Sequence, residues 1–343
     1  MYFASDNSAG VAPQIMSALA RANEGYARGY GADEAMARVT TQIRTIFEAP
    51  EALVHLVATG TAANALSLAT LCPPWAAVFC HETAHIEEDE CSAPEFYMQG
   101  GKLTLVAGTH GKMTPAALRA RIAERGQSLH NTQRGAVSLT NVTEPGTVYT
   151  AAETAALCAV AREFDLPVHL DGARFANAVV ASGASPADLT WRAGVDVLSF
   201  GGTKNGLMGV EAVVIFDPAK APQRGPEFEL RRKRGGHLFS KHRYLSAQFE
   251  AALTDGLWLD LATHANRAAA KLAAGLARKP GVSQRHPVEA NLMFPTWPRG
   301  THARLLAEGA VYYDADSPES EGARLVTSWA TSDAEIEAFL SAF

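Results

Sequence analysis

The chain has 343 residues, of which 47% are hydrophobic and 19% charged, and its formal net charge is -6 at pH 7. This length can bury one substantial core and a smaller second domain, while the negative charge argues against nucleic acid or an anionic membrane as the main partner, since either favours a basic surface. Residues 1–6 lack the features of a signal peptide, no apolar run reaches membrane-spanning length, and the four cysteines show no CxxC or disulfide spacing, so we expect a cytoplasmic protein with reduced thiols.

The first chemical signal along the chain is an anion-binding pattern at residues 59–66, where small residues lead directly into a predicted helix. Exposed backbone N–H groups and the positive end of the helix dipole form an anion site there, built from Gly60, Thr61 and Ala62, with the Thr61 hydroxyl as an extra donor. Alone the pattern is weak, because Gly-Thr before a helix is more often a simple cap.

Short β-rich runs then alternate with helical patterns. Strands are predicted at residues 76–80, 103–106, 136–141, 168–170, 195–200 and 212–216, and helices at 115–125, 151–163 and 173–182, the second with Thr150 as its N-cap. This alternation predicts an α/β fold with a mostly parallel sheet and an active site at the carboxyl ends of the strands.

A possible zinc motif, His81-Glu82-Thr83-Ala84-His85, competes with other interpretations of the same segment. Its context is unfavourable, because the strand at 76–80 leaves no helical turn before His81 and the acidic run at 87–90 defines no third ligand. A zinc hydrolase is therefore the less favoured alternative.

Two predicted strand ends carry the groups of a Schiff-base enzyme. The strand at 195–200 delivers Lys204 into a glycine-rich turn, where small neighbours would let a bulky group lie against its amine. The strand at 168–170 ends in Asp171, with Arg174 three residues on. A lysine for the aldehyde, a carboxylate for the pyridinium nitrogen and a phosphate cradle together predict a pyridoxal phosphate site.

After Glu227 the pattern changes to a long amphipathic helix through about Asp255 and another through Ala277. A strand near 290–294, a helix near 302–308, a strand near 311–313 and a final helix from Ser332 follow. We therefore predict a large cofactor-binding α/β domain over residues 1–245, with an N-terminal arm at 1–30, and a small α+β domain over 246–343.

The combined motifs resemble the fold type I, transferase-like pyridoxal phosphate-dependent enzymes, and within them the L-threonine aldolase family of the β-eliminating lyase group. The resemblance spans almost the whole chain and rests on residues 3–7, 29–31, 60–64, 84–85 with 90, 169–174, 204 and 324–327, of which the His-Leu-Asp-Gly-Ala-Arg run at 169–174 is the most specific. It implies a mostly parallel seven-stranded sheet with a small C-terminal α+β domain. It also implies retro-aldol cleavage of L-threonine or a related β-hydroxy-α-amino acid to glycine and an aldehyde.

The resemblance further implies individual roles. Lys204 would bind the cofactor aldehyde, Asp171 its ring nitrogen and His85 its ring face. The implied substrate contacts are Ser5, Tyr30, Glu90, Thr143, Arg174 and Arg324, with the two arginines binding the carboxylate through paired hydrogen bonds and Arg174 also near the cofactor. Arg232 or Lys233 would reach the phosphate site of a neighbouring subunit, so we expect a homodimer with shared sites, assembled into a tetramer.

One departure from the family pattern affects the catalytic base. Many members have Asn-Thr-His after the strand at 136–141, whereas this chain has Asn141-Val142-Thr143 followed by Glu144. The missing histidine leaves His85, Thr143, Glu144 or a water to act on the β-hydroxyl, and it would suit a subfamily acting on bulkier substrates. A β-eliminating lyase, racemase or aminotransferase with the same Asp171 and Lys204 stays open, as does a nonenzymatic α/β binding protein.

Overall fold

The structure is a computed structural model that describes residues 1–216, 218–219 and 221–343. Its centre is a seven-stranded sheet. With strands numbered along the chain, the spatial order is β1 (Leu53–Val57), β9 (Glu211–Ile215), β8 (Val197–Gly201), β7 (Val168–Gly172), β6 (Gln133–Thr140), β2 (Ala76–His81) and β3 (Lys102–Val106). Strand β9 is antiparallel to both of its neighbours and the other pairs are parallel, which confirms the mostly parallel seven-stranded sheet. A short hairpin, β4 (Gly108–Thr109) with β5 (Lys112–Met113), follows β3.

Helices cover both faces of this sheet because alternate strand residues enter two separate cores. Phe79 and Val214 belong to one core, whereas their neighbours Val78 and Val213 belong to the other. The helices in this part of the chain are α1 (Pro13–Ala22), α2 (Glu34–Ile46), α3 (Gly60–Leu71), α4 (His85–Glu88), α5 (Ala93–Tyr97), α6 (Pro115–Ala123), α7 (Ala151–Glu163), α8 (Phe175–Ser182), α9 (Arg224–Arg234) and α10 (Arg243–Leu253).

Helix α7 has the bounds that its sequence pattern predicts. Thr150 accepts a hydrogen bond from the backbone N–H of Glu153, whose side chain accepts one from the Thr150 backbone, so the two form a capping box. The final helix, α13 (Asp333–Ser341), begins in the same way with Ser332 and Glu335. The first residues of α7 and α13 are therefore determined by local capping interactions.

The last part of the chain forms a second, smaller sheet against α11 (Leu257–Leu276) and α13. The sheet has the order β10 (Ser283–Gln284), β12 (Pro295–Trp297), β14 (Glu321–Val326) and β11 (Leu292–Met293), with β13 (Tyr313–Asp314) also on β14, and α12 (Thr301–Ala307) lies between β12 and β13 in the chain. The N-terminus joins this unit, because the Phe3 N–H donates to Val311 and the Phe3 carbonyl accepts from Val326.

Some expectations about the elements were wrong. The single helix over residues 227–255 is two helices, because Gly236 adopts a positive φ of 79° and the chain stays non-helical until α10. The strand near 290–294 is two short strands, β11 and β12, and the strand near 311–313 begins only at Tyr313. Strand β1 and helices α1 and α2 were not foreseen. In the part of the chain that the structure describes, every helix is too short or too polar to cross a membrane.

Candidate active site

Lys204 and Asp171 lie at the carboxyl edge of the large sheet, as their strand ends predict. Lys204 belongs to a single 3-10 turn, Thr203–Asn205, directly after β8, and Asp171 lies near the end of the adjacent strand β7. Within the described residues, the Lys204 amine makes no hydrogen bond or ion pair. It is therefore available to a ligand in the cavity described below.

A buried carboxylate that the sequence did not single out, Glu211, fixes the lysine turn. Its two oxygens accept hydrogen bonds from the Gly202 N–H and the Thr203 hydroxyl, each at 2.6 Å. Burial raises the pKa of Glu211 to about 7 although these hydrogen bonds oppose the shift. A side chain on Gly202 would lie 2.5 Å from the Val210 carbonyl, so this close turn needs glycine.

Four polar side chains form a continuous buried chain from Asp171 to His85. Asn64 donates to Asp171 at 2.9 Å and to Glu90 at 2.8 Å, and the same Glu90 oxygen lies 2.8 Å from His85 Nδ1. The Ala173 N–H donates to the other Asp171 oxygen. Asn64 was missed by the sequence analysis, although a polar residue on the otherwise apolar, buried helix α3 is a usable signal.

The pKa values along this chain depend on burial and on the neighbouring charges. Burial disfavours the charged imidazole of His85, but the hydrogen bond with Glu90 and the charge of Asp171 outweigh it and raise the pKa of His85. Burial raises the pKa of Glu90, and Asp171 adds to this while His85 opposes it. The pair therefore retains a proton more readily than either isolated group would.

Arg174 forms a buried ion pair with Asp6, a residue to which the sequence analysis gave no role. Arg174 Nε and Nη2 donate to the two Asp6 oxygens at 2.7 and 3.0 Å, and Asn291 donates to Asp6 at 3.0 Å. Burial alone would raise the pKa of Asp6, but the charges of Arg174 and Lys204 hold it below its usual value. Two of the three guanidinium nitrogens of Arg174 are thus already occupied.

A cavity of about 450 Å³ lies above these groups. It brings together predicted residues from distant parts of the chain, namely Ser5, His85, Arg174, Lys204 and Arg324, and also Glu144 and Tyr313. Arg324 donates to the Ala4 carbonyl at 3.2 Å, and its pKa is lowered by burial and by the charge of Arg174. A larger groove of about 1220 Å³ between α1, α2 and α10 includes neither Lys204 nor Asp171, so it is not the chemical site.

Thr143 does not line this cavity. It is buried, and its hydroxyl lies 2.8 Å from that of Thr147 and accepts a hydrogen bond from the Thr147 N–H. The structure therefore does not bring Thr143 together with the other predicted substrate contacts, and its hydroxyl instead binds within its own turn.

The anion-binding pattern lies at the start of α3 with one change in detail. Thr59 is the N-cap, and its hydroxyl accepts from the Ala62 N–H at 3.1 Å, so that amide is not free. In the described part of the chain the Gly60 and Thr61 amides donate to no protein group, and a Cβ on Gly60 would meet nothing within 4 Å. The Gly60 and Thr61 amides can therefore bind an anion at the N-terminus of α3.

Tyr30, the predicted substrate contact, and Arg232 and Lys233, the candidates for a neighbouring subunit's phosphate site, all lie outside this cavity. Tyr30 is exposed, with a φ of 58°, and the Lys233 ammonium lies 5.0 Å from its ring centre. Arg232 instead is buried in its own chain, where it donates to the Leu56 carbonyl at 3.2 Å and where burial lowers its pKa. Arg232 is thus bound within its own chain, whereas Lys233 is exposed, and the intersubunit role stays a prediction.

The zinc interpretation does not fit the backbone. His81 ends β2, and α4 begins only at His85, so the two imidazoles do not share a helical face. His81 Nδ1 instead lies 3.0 Å from the Thr83 hydroxyl and accepts from the Thr83 N–H.

Comparisons with known proteins agree with this geometry. Residues 2–296 match the family "Beta-eliminating lyase". The chain is 45% identical to a low specificity L-threonine aldolase of Pseudomonas aeruginosa, covering 98% of this chain and 94% of that protein, and 42% identical to one from a Pseudomonas species, covering 97% and 94%. A threonine aldolase structure from Leishmania major superposes with a TM-score of 0.93 at 32% identity, covering 99% of this chain and 97% of the other. A putative L-allo-threonine aldolase from Listeria monocytogenes, at 17% identity and a TM-score of 0.72 over 97% and 94% of the two chains, shares the fold.

Proposed function

The chain belongs to the β-eliminating lyase family, and from this premise we propose that it is a pyridoxal phosphate-dependent aldolase that cleaves L-threonine or related β-hydroxy-α-amino acids to glycine and an aldehyde. The observation that carries the proposal is the convergence of Lys204, His85 and Arg324 on one cavity, with His85 linked through Glu90 and Asn64 to Asp171. The threonine aldolases that it resembles over nearly their full length support the same reaction.

The residues present fit the cofactor. Pyridoxal phosphate supplies an aldehyde that condenses with amines and a ring that withdraws electrons from the substrate. Lys204 would hold the aldehyde, and Asp171, oriented by Asn64 and the Ala173 N–H, would pair with the ring nitrogen. The free amides of Gly60 and Thr61 would bind the phosphate, and His85 would lie against the ring.

The cationic side of the cavity would orient the substrate. Arg324 is the more available of the two arginines for the α-carboxylate, because Arg174 already spends two nitrogens on Asp6. We therefore propose that Arg174 mainly binds Asp6 and that its remaining terminal nitrogen, Nη1, donates to the substrate carboxylate beside Arg324. A carboxylate fixed in this way sets which bond at Cα stands perpendicular to the cofactor ring, and the Cα–Cβ bond is the one that must stand there for this reaction.

We also propose a homodimer with shared sites, assembled into a tetramer, in the cytoplasm. The exposed turn around Tyr30 and the exposed Lys233 lie away from the cavity of their own chain, which supports a role at that of a second copy. Size-exclusion chromatography with light scattering tests the assembly.

Product analysis tests the proposed reaction. Purified protein supplied with pyridoxal phosphate and L-threonine should release glycine and acetaldehyde in equal amounts, and a panel with phenylserine defines the aldehyde side chain. A keto acid with ammonia would instead indicate β-elimination, and a protein without the yellow colour of bound cofactor would indicate a nonenzymatic binding protein. The Lys204→Ala variant is the matched control for cofactor-dependent turnover.

A further inference from the structure

The turn after β6 holds Glu144 at the carboxyl edge of the sheet. The Thr143 N–H donates to the Thr147 carbonyl and the Gly146 N–H to the Thr143 carbonyl, both at 2.9 Å. The Asn141 side chain closes the base of this loop, because it donates to the Tyr149 carbonyl at 3.0 Å and accepts from the Tyr149 N–H at 3.1 Å. The backbone that carries Glu144 is therefore fixed before the substrate binds.

The Glu144 carboxylate faces the chemical cavity without a protein partner. It is partly exposed, it lines the 450 Å³ cavity, and it takes part in no hydrogen bond or ion pair among the residues that the structure describes. Burial opposes the charged form of His85, Arg174 and Arg324, whereas the charge of Glu144 favours it at all three; overall the pKa is raised for His85 and Arg174 and lowered for Arg324. It is thus an acceptor close to the groups that would surround the substrate.

The other protein groups considered for the β-hydroxyl are already engaged. The Thr143 hydroxyl is buried against Thr147. His85 Nδ1 is already hydrogen-bonded to Glu90, so this ring nitrogen is not available to the substrate.

We propose that Glu144 is a catalytic residue of this cavity, the base that accepts the β-hydroxyl proton during cleavage; this rests on the proposed function. The hydroxyl proton moves to a Glu144 oxygen, and the substrate C–O bond becomes the aldehyde C=O. The Cα–Cβ bond breaks, and its electron pair stays with the glycine part. Glycine then gains one proton at Cα, so the proton lost from the hydroxyl is balanced and no oxidant or reductant is needed.

The test compares two reactions that share the cofactor and the carboxylate site but differ in their need for a hydroxyl base. The first is release of acetaldehyde from L-threonine. The second is exchange of the glycine α-proton with D₂O, followed by NMR, in which the substrate has no β-hydroxyl. Both are measured in the cofactor-loaded wild type, in Glu144→Gln and Glu144→Asp, and in Asp89→Asn, which removes an exposed acid from the same cavity.

Glu144→Gln should lower acetaldehyde release by about 100- to 10,000-fold, the usual contribution of a general base, and leave glycine exchange within a few fold of wild type. Glu144→Asp should recover part of the lost rate, and Asp89→Asn should keep both activities. Unchanged acetaldehyde release in Glu144→Gln would overturn the inference. It would also be overturned if acetaldehyde release and glycine exchange fell by the same factor in both Glu144→Gln and Glu144→Asp. A wild type that exchanges glycine but cleaves no β-hydroxy amino acid would instead overturn the proposed function, and this inference with it.

Discussion

The buried pair of Arg174 and Asp6 should contribute strongly to stability, and Asp6→Asn tests it. The two side chains are only 2% and 1% exposed, and two hydrogen bonds join them, so the substitution leaves a buried guanidinium without its counter-charge. Removing one partner of such a pair typically costs about 3–5 kcal/mol. The exposed pair of Asp188 and Arg192, at 49% and 40%, is the matched control, because solvent screens such a pair and Asp188→Asn should change the stability little.

The assay is urea unfolding at fixed protein and cofactor concentration, and pH gives a second check. The folded-state pKa of Asp6 lies below its ordinary value of 3.8, so its stabilisation is complete above that value and is lost as the pH falls through the lower folded-state pKa. The difference between wild type and Asp6→Asn should therefore be constant near neutral pH and shrink in strong acid. An Asp6→Asn protein within about 1 kcal/mol of wild type at neutral pH would refute the reasoning, since the pair would then be no stronger than a surface pair.

Three further substitutions, with His81→Ala as a control, test the cofactor site. Lys204→Ala should keep its fold but lose turnover and the yellow cofactor, and borohydride reduction of wild type should label this lysine, so a label on another lysine would exclude the assignment. Asp171→Asn should weaken cofactor retention and slow cleavage, because an amide cannot balance the ring charge, and near-normal kinetics would mean that another group supports the ring. His85→Phe should retain the cofactor and lose roughly 100-fold in rate, while His81→Ala should change little; stoichiometric zinc with chelator-sensitive activity would contradict this.

The sequence was informative where a signal is local. Asp171 and Lys204 each follow an apolar run that forms a strand, and parallel strands place their carboxyl ends at one edge of the sheet. The starts of α7 and α13 were likewise predictable, because a capping box is contained in four residues. The predicted boundary between residues 245 and 246 stays a prediction.

The contacts that complete the site could not be deduced from pattern because they join remote segments. Asp6 lies 168 residues before Arg174, and Asn64 lies 107 residues before Asp171. Periodicity says which residues are buried but not which buried polar groups meet. The capping role of Thr59, which occupies the Ala62 amide, depends on the backbone at the helix start, where Thr59 is still extended with a φ of -141°.

Asn64 links the two buried acids of the site, Asp171 and Glu90, through its side-chain amide. Its amide nitrogen gives one hydrogen to Asp171 and the other to Glu90, so a neutral group separates two carboxylates that would otherwise repel. Asp171 receives its second hydrogen bond from the Ala173 N–H, whereas Glu90 is paired with the imidazole of His85. Asp171 would then be free to pair with the ring nitrogen of the cofactor, while Glu90 and His85 form a separate hydrogen-bonded pair. An aspartate at position 64 would place a third negative charge between them, which is why an uncharged donor suits this position.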